Sequence, residues 1–300
     1  MISPIKKIII SIDFSEKSLN ALHTAIQMTR RHSAELHLLY VIDANHIFPV
    51  VDVHSPIAKI KHEPIAKDMF VLEELARSIT FENGIECTCH QRIGFPVSTV
   101  CDIASELDCD LVVVATEEQD GLSYLFDSNA YRVLKSVGCS VLAVPAAKQV
   151  SSFKKVIFPV GAANDVAGKY NFSRTILKLN NSKVILMGLM DRPTSKLALM
   201  LKGMITQFGQ WMKEDCISHI SGTIAHTDPA IGTTQAGEDF ETDLVIINAS
   251  TRRNLIQFFT GNYTQRIMGR QEFAVLCYQP KRETIQQDHY IQVPLHLSFS

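Results

Sequence analysis

Apolar residues fall in short unbroken runs, separated by longer segments in which they recur every three or four positions. The run Lys6 to Asp13 (KKIIISID) reads as a first strand ending in an acid, and Ser15 then sits where a helix N-cap is expected. Leu19, Leu22, Ala25, Ile26 and Met28 keep helical spacing to about Arg31, and Ala34 to Val41 is the next strand. Between Asp43 and Pro64 the period is lost and Pro49, Pro56 and Pro64 punctuate a long loop. Helical spacing returns over Ile65 to Phe81. Gly84 marks its end, Glu86 to Ile93 reads as a strand, and Gly94-Phe95-Pro96 turns into a helix over Val97 to Leu107. Leu111 to Val114 and Ser140 to Val144 close the unit as two further strands around a helical pattern. Apolar runs without alternation suit strands buried on both faces, as a parallel sheet covered by helices requires. In such sheets ligands sit beyond the carboxyl ends of the strands.

The pattern then repeats. Asp110 to Pro145 (DLVVVATEEQDGLSYLFDSNAYRVLKSVGCSVLAVP) has a second copy at Asp243 to Pro280, and Phe153 to Gly161 and Lys183 to Asp191 retrace Ile5 to Asp13 and Glu35 to Asp43 at an offset of 148 residues. From Asp228-Pro229 onward the offset falls to 133, so the second copy lacks a stretch between Asp191 and Asp228, where the proline-rich loop of the first would be. Its helix from about Lys196 to Asp215 remains and carries the single tryptophan, Trp211. The polar stretch Ala147 to Ser152 divides the chain into residues 1–148 and 149–281. The loops after Val114 and Ile247 are thus equivalent positions for function. In the extension 282–300, Ile291, Val293, Leu295, Leu297 and Phe299 alternate with polar residues and Pro294 faces the other way. That is the pattern of an edge strand, expected to dock on a sheet edge or groove of its own chain or of a second copy.

Composition narrows the function classes. With 300 residues, 46% hydrophobic and 20% charged, the chain can bury two cores, and a formal net charge of -2 gives no electrostatic footprint for nucleic acid or an acidic membrane surface. The first apolar run is too short for a signal peptide or a membrane span, which places the protein in the cytoplasm. Seven scattered cysteines imply no disulfide framework. Cys87 and Cys89 share one strand face, but no second pair stands at metal-ligand spacing. His46, His54 and His62 recur in the long loop without an acid or thiol at a fixed offset, and His37 has no ligand or base spaced to meet it. The sequence offers no nucleophile with a base at a useful offset, so an enzyme is not expected and weak ATP hydrolysis is the residual activity to consider.

In order and spacing, KKIIISID with Phe14-Ser15, AELHLLYVID, Gly94-Phe95-Pro96, DLVVVAT and VLKSVGCSVLAVP make each half resemble the universal stress protein family, and the whole a tandem of two such domains over about residues 3 to 281. The resemblance implies an α/β fold: two open five-stranded parallel sheets with helices on both faces, forming an intramolecular pseudo-dimer in which Ser140 to Val144 meets Ala274 to Tyr278. It also implies a stress-response role exercised through binding or protein association, with self-pairing as the partner. Many members bind ATP with an acid after the first strand and a loop of Gly, two residues, Gly, nine residues, Gly and Ser or Thr. Glycine lets backbone amides approach phosphates, and the following helix presents its positive end.

Both copies depart from that loop. In the first, the matching positions are Asp13, Val41, Ala115, Ser128 and Asn129, but Glu118 and Asp127 stand for glycines and one residue is missing. A carboxylate about 5 Å from a phosphate charge costs roughly 3 kcal/mol at an effective dielectric near 20, about two decades in affinity. In the second, Gly161 takes the acidic position and Thr251, Arg252, Gly261 and Asn262 form an anion-binding candidate, with Arg253 beside it. The expectation is a degenerate nucleotide site with no obligatory cofactor. ATP or AMP sensing at the first site is the alternative.

Overall fold

The computed structural model describes residues 4–47, 63–116, 129–161, 166–190, 194–249 and 260–281. The first half contains β1 (Lys7–Ser11), α1 (Glu16–His32), β2 (Glu35–Asp43), α2 (Ala44–Ile47), α3 (Glu63–Asn83), β3 (Cys87–Gly94), α4 (Pro96–Glu106), β4 (Leu111–Thr116), α5 (Asn129–Ser136) and β5 (Ser140–Pro145). The second contains β6 (Lys155–Val160), α6 (Val166–Leu179), β7 (Lys183–Met190), α7 (Ser195–Glu214), β8 (Ser218–Ala225), α8 (Pro229–Asp239), β9 (Leu244–Asn248), α9 (Thr260–Met268) and β10 (Ala274–Tyr278). The four-residue α2 occupies the start of the stretch expected to be loop. Residues 48–62, including His54 and His62, and the extension from Arg282 lie outside the described residues, and Glu63 and Pro64, expected in the loop, open α3.

All ten of these strands form one sheet in the order β3-β2-β1-β4-β5-β10-β9-β6-β7-β8, which reads as the same half written twice, the second time reversed. Within each half every pair is parallel; only β5 and β10 are antiparallel, with Leu142 opposite Leu276, Ala143 opposite Val275 and Val141 opposite Cys277. The two terminal strands cover each other's edge, which would otherwise present unpaired backbone groups. Polar contacts lock the seam. Gln279 donates from Nε2 to the Val137 carbonyl at 2.7 Å, Gln271 Oε1 accepts from the Ala146 amide at 3.0 Å, and Lys281 Nζ lies 2.8 Å from Asp110.

The unbroken apolar runs are strands with both faces covered. One face carries Ile8, Ile10, Leu36, Leu38, Leu111 and Val113 under α1 and α3, and the other carries Ile9, Leu39, Val112 and Val141 under α4 and α5. An aspartate clamp at the sheet margin repeats with the sequence. Asp110 Oδ2 accepts from the Lys6 and Lys7 amides at 2.7 and 3.0 Å, and Asp243 Oδ2 accepts from the Lys154 and Lys155 amides at 2.9 Å each. Left-handed residues repeat too. Ser33 and Asn181, and Asp108 and Glu241, hold φ between 49° and 51° where their helices end.

Candidate functional site

In the first half the chain moves outward from β1 to β2 and β3, then crosses back to β4 on the other side of β1. The crossover leaves a crevice beyond the carboxyl ends of β1 and β4, the place where open α/β sheets bind ligands. A cavity of about 270 Å³ occupies it. Asp13 after β1, Val41 in β2, Ala115 and Thr116 in β4, and Asn129 at the start of α5 all line it, so four of the five positions expected for the first-half site meet in one place. Ser128, the fifth, lies outside the described residues. The structure adds Lys17, Ser18, Pro96 and Val97, which the sequence reading did not select. Their signal was the helix start: three helices, α1, α4 and α5, begin at this cavity and turn their positive ends toward it.

Local chemistry fixes the acid. Asp13 Oδ1 accepts from the Ser15 amide at 3.0 Å and from the Ser15 hydroxyl at 2.5 Å, while Ser15 Oγ accepts from the Ser18 amide as the N-cap of α1. Phe14 between them is left-handed at φ 58°, an uncommon conformation for a bulky residue, and its ring packs against Tyr40 with centroids 5.5 Å apart. The turn therefore holds the carboxylate at the cavity mouth at some conformational cost. Burial raises the Asp13 pKa, but the hydrogen bonds from Ser15 and Ser18, with the charge of Lys17, outweigh it and hold the carboxyl below its ordinary range. Asp13 is an anion at neutral pH.

The floor is apolar, built from Ile12, Val100, Val113, Val114, Ala130 and Val133. Residues 4–145 match the universal stress protein family. The first half of the chain is a universal stress protein domain. A universal stress protein of Methanocaldococcus jannaschii is 29% identical over 147 residues, 48% of this chain and 84% of that relative. One from Synechocystis is 28% identical over 144 residues, 47% of this chain and 85% of that relative. The crystal structure of a universal stress protein from Archaeoglobus fulgidus covers 93% of this chain and 98% of its own at 14% identity with a TM-score of 0.73, so the tandem architecture extends through both halves.

In the second half, Gly161 follows β6 where the universal stress protein domain of the first half has Asp13. Gly261 and Asn262 fall in the first turn of α9, at the position of the α5 start; Thr251 and Arg252 lie outside the described residues. Elsewhere, His37 does meet a partner: its Nδ1 is 3.1 Å from His90 Nε2, and Glu35 lies 3.6 Å from its Nε2. Register across β2 and β3 brings the two imidazoles together, and it could not be read from spacing alone. Burial lowers the pKa of both. Among the described residues no group of three or more His, Cys, Asp or Glu could hold a metal ion, and all seven cysteines are free. Burial pushes the Cys87 and Cys89 thiols up to about 12 and about 11, which keeps them protonated and unreactive. No helix among the described residues is long and apolar enough to cross a membrane.

Proposed function

We propose that this chain is a non-catalytic, cytoplasmic stress-response protein that acts by binding, and that its first half takes an adenine nucleoside or nucleoside monophosphate in preference to ATP. The observation that carries this reading is the convergence of Asp13, Val41, Ala115 and Asn129, from four separate segments, on one cavity at the switch point. At about 270 Å³ the cavity lies just below the range of about 300–1,000 Å³ usual for small-molecule pockets, a size suited to a nucleoside. The three helix starts favour one phosphate at the mouth. Glu118 and Asp127, where ATP-binding members carry glycines, oppose the charge of a longer phosphate chain.

The lining chemistry supports binding over turnover. Ser18 Oγ donates to the Ser15 carbonyl at 3.0 Å and accepts from the Asp13 amide at 3.4 Å, so its hydroxyl is held in the turn. No histidine or cysteine is among the described lining residues to serve as base or thiolate nucleophile. Titration calorimetry of the full chain with adenosine, AMP and ATP tests the reading. The expected order is adenosine or AMP over ATP by about tenfold or more, with all binding lost in Asp13→Ala. A low-micromolar dissociation constant for ATP would overturn it and favour an ATP sensor. Glu118→Gly with Asp127→Gly should raise ATP affinity if charge is the obstacle; an unchanged affinity would assign the fault to the missing loop residue.

A further inference from the structure

The two switch points of the sheet differ in what fills them. In the first half, Ser11 at the end of β1 and Val113 in β4 line the open cavity. Their counterparts by the repeat are Pro159 in β6 and Ile246 in β9. There one side-chain amine takes both carbonyls: Lys169 Nζ donates to the Pro159 oxygen at 2.5 Å and to the Ile246 oxygen at 3.2 Å. Lys169 stands on α6 where α1 has Ala21, and it is only 1% exposed. Side chains on a helix lean toward its N-terminus, and a crossover helix runs against its strands, so this position delivers the amine to the carboxyl ends of β6 and β9.

A second residue changes with it. Where β1 carries Ile10, β6 carries Phe158, and the Phe158 ring lies 4.1 Å from Lys169 Nζ. Tyr170, at the place of Leu22, packs edge-on against Phe158, and Phe208 and Trp211 of α7 complete an aromatic wall. Among the described residues the amine is thus held by carbonyl dipoles and a π face. A lysine near a surface normally keeps its charge in water, because burying an ammonium without partners costs several kcal/mol. Here the partners are supplied in a set: two convergent carbonyl oxygens and a ring face, which together match a primary ammonium.

We propose that the second switch point is a binding site for a primary ammonium group, and that Lys169 is its resident, tethered occupant, closing this half to external ligands of the kind the first half admits. The cation site stands on its own geometry; only the contrast between the halves rests on the function proposed above. Lys169→Ala in the full chain leaves the two carbonyls and the Phe158 face around an empty space. Ethylammonium chloride at tens of millimolar, short enough for the space left beyond the alanine Cβ, should then raise the melting temperature of the variant by several degrees more than that of the parent, while tetramethylammonium, with the same charge and no N–H donor, should not. An equal response of parent and variant, or of the two salts, would overturn the proposal. Should the variant fail to fold, the parent decides by amine labelling under native conditions and peptide mass spectrometry. Lys169 should react at least about 100-fold more slowly than the exposed Lys196 of α7. Labelling of the two within about threefold would sink the idea. Both readouts are independent of adenine ligands, so a failure of nucleotide binding in the first half leaves them unaltered.

Discussion

Lys169 sits in an environment far from a lysine's ordinary one, since it is only 1% exposed. Burial lowers its amine from 10.5 to about 7, against two carbonyl acceptors and a ring face that favour the ammonium. The folded pKa lies below the unfolded one, so below about pH 7 both states hold the proton and the full burial penalty is felt. Between about 7 and 10.5 the unfolded chain holds more protons than the folded one, and stability rises with pH. Relative to Lys169→Met, the parent should therefore gain about 1 kcal/mol between pH 7 and 8. Urea midpoints of the two proteins across this window check it, and parallel pH profiles would refute it. The sequence carried the signal, since Lys169 is the one charge on a face formed by Val166, Tyr170, Ser173 and Ile176. Its partners were hidden because carbonyl oxygens leave no mark in a sequence. Asp13 was legible for the opposite reason: it stands next to its own N-cap, and its hydrogen bonds are local.

At the scale of elements, the corner from β3 to α4 sets one wall of the cavity. A Cβ on Gly94 would collide with Thr99 Oγ1 in the first turns of α4, and Thr99 is buried and stiff at χ1 in a helix. Gly94→Ala should cost about 1–3 kcal/mol and move Pro96 and Val97 at the cavity mouth. Thr99→Ala in the same chain should recover most of the loss. A double-mutant cycle by urea denaturation with no coupling would show that the corner tolerates the methyl. The aspartate clamps make a matching prediction for strands. Asp110→Ala leaves the Lys6 and Lys7 amides without their acceptor, and Asp243→Ala does the same to Lys154 and Lys155. Each should lower stability by about 1–3 kcal/mol, with the Asn variants milder because they keep an oxygen. Equal stability of parent and Ala variants would assign the amides to water. The repeat drew attention to both acids and placed them at strand starts, but their work is done across the sheet by residues about a hundred positions away. Strand and helix limits were legible to one or two residues. They are settled by single caps such as the left-handed Ser33, which hydrophobic period does not encode.

The whole molecule depends on one antiparallel pair. That the two halves share one strand order follows from the repeat, whereas the order itself and which edges meet leave no local pattern; the pairing of β5 with β10 came from the family resemblance. The structure gives that pairing a physical form. Leu142 faces Leu276 at the centre of the register, flanked by Ala143 with Val275 and Val141 with Cys277, all small or medium apolar side chains. Substituting β5 for β10 about the same centre would oppose Leu142 to Leu142 and Ala143 to Val141, a register with no clash of size or charge. Residues 1–148 expressed alone should therefore pair through β5 as a homodimer, because a monomer would leave a fully buried strand edge in water. Light scattering should report twice the mass of the half-chain. Leu142→Lys in that fragment should shift it toward monomer by placing two like charges opposite each other at the dyad. In the full chain the same substitution puts a single charge opposite Leu276 and should lower stability without separating halves that are covalently joined. A half-chain that remains a stable monomer at high concentration would show that β5 does not require a partner strand, and that the seam between the halves is held instead by the Gln271, Gln279 and Lys281 contacts at its ends.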